Sequence, residues 1–361
     1  MSELPWVDEE GKGIVERTAA ADVLRRARAE VADEVTDAFL LRHPDWVARY
    51  GDGARRHGVA DALFHVDFLA GAVEAGSPEA FAAYAAWPAR VLRARGIEPV
   101  FLQENLRQVQ DALSSRLRPS HVAFVGAIVE EGCAACALDV PGAPAPAGGP
   151  LAFARETFLQ AILGGHRTAA TNVALLALGD HLPVDVYVEV VQEALYAVGR
   201  LWETNRITVA QEHMATAISQ FVVAQMFRSL PSLGAQHGRI VITGVEGERH
   251  QLGAHMLADA LEAEGWDVRF LGVDLPQGGV LEAVETFHPR VLAISATMLF
   301  NLPKVTALVG EVRRRFGADE PRIILGGGAF RSAPVLWREM GVDGCALDLR
   351  QALALVKAWA A

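Results

Sequence analysis

Cysteine is scarce in this chain, with three in 361 residues. A disulfide framework needs more, so apolar cores must hold the fold. Cys133 and Cys136 form one C-x-x-C in GCAACAL. A single such pair cannot complete a zinc site, and no thioredoxin-like strand precedes it, so both read as small buried residues. Cys345 reads as core. Basic charge is also in short supply. Lys and Arg number 33 against 44 Asp and Glu, a net charge of −11. That balance opposes a phosphate backbone and argues against direct nucleic-acid binding. No apolar run reads as a membrane span, and MSELPWVDEEGKG lacks a basic n-region and an apolar stretch. A cytoplasmic protein without a membrane partner is expected.

What is present is alanine-rich and helical in pattern. The hydrophobic fraction is 51% and the charged fraction 21%, values that argue for packed domains and against disorder. Residues 1–140 carry three- and four-residue apolar spacing throughout, as in Val23, Leu24, Ala27, Val31 and Val35. About six helices are expected there, one near Ile14 to Arg42. Ser77-Pro78 opens another, and Pro99 and Pro119 open two more. DVPGAPAPAGGP ends in a linker over 141–150. Residues 151–235 read as a four-helix bundle, with Thr208 and Gln211 placed for a capping box.

From 236 to 361 the pattern alternates. Short apolar runs such as GRIVITG, RVLAISAT and PRIILGGG are separated by amphipathic helices. This predicts a doubly wound, Rossmann-like parallel sheet, with ligands bound beyond the carboxyl ends of its strands. The expected fold class is therefore a multidomain α and α/β protein. Glu248, His250 and Gly253 follow the first strand, in GERHQLG. Ser295 ends the third strand, with Thr297 just beyond. Gly326, Gly327 and Gly328 follow the fourth. All lie on the predicted ligand edge.

This E-x-H-x-x-G, serine and paired-glycine arrangement resembles the cobalamin-binding fold, whose usual form is D-x-H-x-x-G, S-x-L and G-G. The resemblance makes His250 the lower cobalt ligand, in place of the cofactor's own base. It makes Gly253, Ser295, Gly327 and Gly328 contacts of the nucleotide tail, the glycines leaving side-chain-free room. Two positions depart: Glu248 stands for Asp and Thr297 for Leu. Glu248 can still accept a hydrogen bond from His250 and fix its tautomer. The alternative is a generic Rossmann-like domain with a surface histidine.

Ahead of this fold, Trp202, Glu212 and His213 form W-x9-E-H. That motif resembles the upper face of the CarH-like adenosylcobalamin photoreceptors. The resemblance implies Trp202 over the adenosyl group, Glu212 on its ribose, and His213 as an upper cobalt ligand after light breaks the Co–C bond. Consecutive helical residues point about 100° apart, so the two can serve different targets. By itself the trio reads as a core tryptophan beside a solvated helix face.

The light-regulated repressors begin with a DNA-binding winged helix, and the first 140 residues here lack a basic recognition helix. A helical, globin-like domain before such a module resembles the photocobilins, which implies biliverdin as a second chromophore. Candidate contacts are Arg55, His57, His65, Trp87 and His121. The resulting expectation is a light sensor rather than an enzyme. It would use adenosylcobalamin with biliverdin, form a homo-oligomer, most simply a dimer, and signal through its oligomeric state or a partner protein. The alternatives are a corrinoid methyl carrier of a methyltransferase system and a cobalamin-binding regulator without photochemistry.

Overall fold

The computed structural model describes residues 12–138, 148–231, 233–332 and 336–360; most of the expected linker falls outside them. The chain forms two compact units, residues 1–140 and 141–361.

The first unit has six helices among the described residues: α1 (Lys12–Arg42), α2 (Pro44–Tyr50), α3 (Gly53–Ala75), α4 (Pro78–Arg93), α5 (Val100–Ser114) and α6 (Pro119–Ala137). Ala20, Leu24, Ala27, Val31 and Val35 give α1 one buried stripe, which packs along α3. Gly58 lies inside α3. A Cβ there would come 2.8 Å from Thr36 Cγ2, so the glycine allows the two helices to approach. Ser77 caps α4 by accepting from the Ala80 N–H. Contrary to expectation, α6 is long and apolar enough to span a membrane by length and composition. Its Phe124, Val125, Ile128, Val129, Cys133 and Cys136 are buried in this unit's core, and both cysteines are free.

The second unit joins the expected bundle and sheet. The bundle comprises α7 (Ala152–Leu163), α8 (Arg167–Asp180), α9 (Pro183–Val186), α10 (Glu193–Glu203) and α11 (Val209–Phe227). A π-helical turn, Tyr187–Gln192, splices α9 to α10, so these read as one helix in sequence. The expected capping box at Thr208 and Gln211 forms in full and fixes where α11 begins.

The sheet holds β1 (Arg239–Gly244), β2 (Asp267–Phe270), β3 (Val291–Ser295), β4 (Arg322–Gly326) and β5 (Gly344–Ala346). All are parallel, in the order β2-β1-β3-β4-β5. Helices α12 (Leu252–Ala263), α13 (Gln277–Phe287), α14 (Leu302–Phe316), α15 (Gly328–Ser332) and α16 (Leu349–Ala360) connect or cover them. The register pairs Gly244 with Ser295 and Ser295 with Gly326, which levels three strand ends in one row. The strand order reverses between β1 and β3, the switch point where such sheets take ligands. One continuous apolar core runs from Phe158, Tyr187 and Val222 of the bundle through Leu261 and Val356 to Ile242 and Ile324 of the sheet. That shared core makes bundle and sheet one unit.

Candidate functional site

A cavity of about 410 Å³ opens above the levelled strand ends, between sheet and bundle. Its lower lining includes His250, Gly253, Ser295, Thr297 and the Gly326–Gly328 loop, and Glu212 lines it from the bundle. The eleven expected cofactor residues of this unit lie on five separate segments of the chain. The fold brings eight of the eleven to this one cavity, seven on the sheet side and Glu212 on the bundle side.

Glu248 lies behind the wall and is fully buried. Its Oε1 accepts from the backbone N–H of Arg249 and His250, and pairs with His250 Nδ1 at 2.6 Å. Its Oε2 accepts from the N–H groups of Thr297 and Met298 and from Asn301 Nδ2, at 2.7, 3.3 and 3.1 Å. Burial alone would push this carboxyl up. The His250 ring and the N–H groups of His250 and Thr297 outweigh burial and hold it down at about 2. A fixed carboxylate on Nδ1 leaves Nε2 as the lone pair that can bind a metal. The His250 ring is 56% exposed, so that nitrogen is accessible.

The two departures from the usual motif work together here. The added methylene of Glu248 lets one carboxylate serve both the β1 loop and the turn after β3. Thr297 contributes through its backbone, where side-chain identity matters little. Asn301, which the sequence reading missed, is buried with its amide on Glu248.

The glycines differ in kind. A Cβ on Gly253 would meet nothing within 4 Å, as room for a ligand requires. Gly327 is otherwise: its φ is +105°, and a Cβ would lie 2.3 Å from the Ala296 carbonyl oxygen. Backbone packing demands this glycine, whatever room it also leaves for a tail.

Across the cavity, the bundle supplies the polar side chains of Gln192, Tyr196, Glu212, Thr216 and Gln220, beside Leu195 and Gly199. The expected trio is not assembled there. Glu212 lines the cavity, whereas Trp202, half-buried in the last turn of α10, does not. His213 also lies outside, its side chain 76% exposed and its Nδ1 2.6 Å from Glu212 Oε2. The roughly 100° between adjacent helical residues puts one toward the cavity and the other toward solvent. Tyr196 and Arg331, unforeseen from sequence, line the cavity from opposite sides and are bonded at 2.7 Å.

In the first unit, the five chromophore candidates sit in separate settings. His65 is buried, with Nδ1 2.6 Å from the Tyr84 hydroxyl, and burial pushes its imidazole down to about 4. His121 is buried with Nε2 on Glu16 at 2.8 Å. Arg55 forms ion pairs with Asp33 and Asp37. His57 and Trp87 are exposed. His65 and His121 are thus each bonded to a polar side chain of this unit.

Residues 238–357 match the family described as B12 binding domain, and residues 154–226 match a second family of that description. The chain is similar to Dimethylamine corrinoid protein 1 of Methanosarcina acetivorans, 23% identical over 57% of this chain and 98% of the relative. It is also similar to the HTH-type transcriptional repressor CarH of Myxococcus xanthus, 24% identical over 52% of this chain and 62% of the relative. Among solved structures, the monomethylamine corrinoid protein of Methanosarcina barkeri aligns at 20% identity and a TM-score of 0.48, over 58% of this chain and 99% of that one. The second unit is thus a cobalamin-binding module, with the matched segments falling on its bundle and sheet. The accessible His250 nitrogen, the open Gly253 position and the cavity beside them fit a bound corrinoid.

Proposed function

We propose that this chain is a cobalamin-based light switch. The observation that supports it is the set of polar side chains on the bundle side of the cavity, the Glu212 carboxylate among them. A methyl group above cobalt needs only an apolar cap, whereas a ribose needs hydrogen-bond partners. Bound adenosylcobalamin would supply a cobalt–carbon bond that light breaks. In this reading His250 would hold the cobalt through Nε2, with Glu248 fixing the tautomer. Glu212 accepts a hydroxyl from above. His213 sits one residue from the cavity, on an exposed carboxylate pair that it can leave at little cost. A shift of α11 would bring its imidazole, a good ligand for cobalt, over the corrin.

A second reading is a corrinoid methyl carrier. The names of the relatives weigh toward it, since a dimethylamine corrinoid protein spans nearly its full length on this chain. The deciding experiment is the visible spectrum of the adenosylcobalamin-loaded full chain before and after green light, with size exclusion in both states. A spectral change with altered oligomeric state supports the switch. An alkyl spectrum that survives light, in a protein that accepts methyl groups from a methylated donor, establishes the carrier instead.

In the same reading the N-terminal unit, globin-like by resemblance, holds biliverdin. Expression with both cofactors should then add absorption to the red of the corrinoid bands. Its absence removes the bilin and leaves the cobalamin reading standing.

A further inference from the structure

The loop that carries His250 starts in a tight turn. The Val245 carbonyl accepts from the Glu248 N–H at 3.0 Å, so residues 245–248 form a β-turn with Glu246 and Gly247 at its centre. Gly247 has φ +85°, which marks the type II form. Types I and II differ chiefly in which way the central peptide faces. Glycine takes positive and negative φ about equally well, so Gly247 by itself does not choose between them.

That central peptide, between Glu246 and Gly247, meets two opposite charges. Its carbonyl oxygen accepts from Lys304 Nζ at 2.8 Å, and its N–H donates to Asp274 Oδ1 at 2.6 Å. Lys304 lies in the first turn of α14, which follows β3, and Asp274 follows β2. These strands flank β1, so the charges come from opposite sides of the turn. In a planar trans peptide the C=O and N–H point in opposite directions. A cation on one and an anion on the other therefore fix its plane. Flipping the peptide would turn the carbonyl toward Asp274 and the N–H toward Lys304, with both bonds lost.

Two further features serve this arrangement. Asp274 sits at φ +60°, a conformation uncommon for a residue with a side chain. A Cβ on Gly247 would lie 3.1 Å from Lys304 Nζ, so the glycine clears the ammonium's approach. Neither Lys304 nor Asp274 lines the cavity, and both are exposed. Whatever they do for a ligand there, they do through the loop.

We infer that Lys304 and Asp274 are positioning residues for the cobalt ligand, a clamp on one peptide that holds the turn from which Glu248 and His250 are presented. This rests on His250 as the cobalt ligand and is independent of any response to light. Each exposed bond is weak by itself. A weak pair suffices because glycine leaves the two turn forms nearly balanced.

The test uses the full chain, made with histidine carrying the heavy nitrogen isotope and loaded with cob(II)alamin. Imidazole from the protein then splits the cobalt EPR lines into doublets, whereas the cofactor's own base gives triplets. Lys304→Met and Asp274→Ala should each weaken cobalamin binding about threefold to tenfold and lower the doublet fraction of bound cofactor. Both charges act on one peptide, so the double variant should lose about as much as the worse single variant. Asp274→Asn keeps an oxygen acceptor and should stay within about twofold of wild type. Unchanged affinity and doublet fraction in both single variants overturn the clamp, as do losses that multiply in the double variant. A lowered melting temperature with an unchanged doublet fraction assigns the pair to stability alone and also overturns it. Triplets from the wild-type protein would instead remove His250 as the ligand, the reading on which the clamp rests.

Discussion

His250 and His213 make the same local contact in opposite settings. Each presents Nδ1 to a carboxylate at 2.6 Å. Behind His250, the Glu248 side chain is 0% exposed and accepts from five further donors on two loops. Behind His213, the Glu212 side chain is 31% exposed and takes only the Thr216 hydroxyl besides. One imidazole is preorganised by its surroundings, and the other is parked. A short hydrogen bond therefore says little about a histidine's role until its partner's own partners are counted. Permanent ligation needs the first arrangement, and a conditional role tolerates the second.

Removing Glu248 should produce the largest effect. Glu248→Ala strands five backbone or side-chain donors from two loops and frees the His250 ring. Apo stability should fall by about 3 kcal/mol or more in chemical denaturation. Cobalamin affinity should drop about 10- to 100-fold in spectrophotometric titration. Glu212→Ala should cost less than about 1 kcal/mol of stability. Equal losses in the two variants would break the contrast drawn above.

A third imidazole extends the comparison to a wholly buried setting. Burial holds His65 down at about 4 against an ordinary 6.5. The unfolded chain therefore takes up the proton first as pH falls. The stability of the first unit should be full above about pH 6.5 and decline toward pH 4, by up to about 3 kcal/mol. Hydrogen exchange of α3 and α4 amides across that range reads it out. His65→Phe combined with Tyr84→Phe should flatten the slope, whereas a slope that persists assigns it to other groups.

How much of this was legible beforehand follows from what the sequence encodes locally. The strands were readable because runs such as Ile240–Ile242 and Val291–Ile294 are continuously apolar, as two-sided burial requires. Motif residues on the loops after them followed from the parallel topology. Capping at Ser77 and Thr208 was equally local. The π turn left no trace, since Val186, Tyr187, Val190 and Val191 satisfy an ordinary helical stripe as well. Tyr187 meets Asp259, and Tyr196 meets Arg331, across separations that no spacing rule reaches. The sidedness of Glu212 and His213 depends on how α11 is rotated against the sheet, a tertiary property.

The two kinds of cavity glycine offer a third contrast of intermediate size. Gly327→Ala should destabilise the apo protein by about 2 kcal/mol or more, because of its positive φ and the Ala296 carbonyl. Gly253→Ala, in open space on α12, should leave apo stability unchanged or raise it by up to about 1 kcal/mol. Cobalamin titration of Gly253→Ala should nonetheless weaken. Parallel melts and titrations separate a glycine the fold needs from one the ligand needs, and tight binding by Gly253→Ala would sink the second assignment.

The smallest effect is expected where the parked imidazole is removed. His213 is exposed and its Glu212 pair is solvated, so His213→Ala should shift stability by less than about 0.5 kcal/mol. Affinity for cobalamin in the dark should stay within about twofold, since in the proposed reading His250 alone would hold the metal there. If the switch reading holds, the variant differs from wild type only after illumination, when a second imidazole is no longer available to cobalt. The photoproduct spectrum of the variant should then lack the bis-imidazole form. Identical photoproducts from both proteins would exclude His213 as the upper ligand while leaving His250, Glu248 and the cavity untouched. A large loss of dark affinity would show that His213 is no parked residue, and would erase the difference between the two histidines.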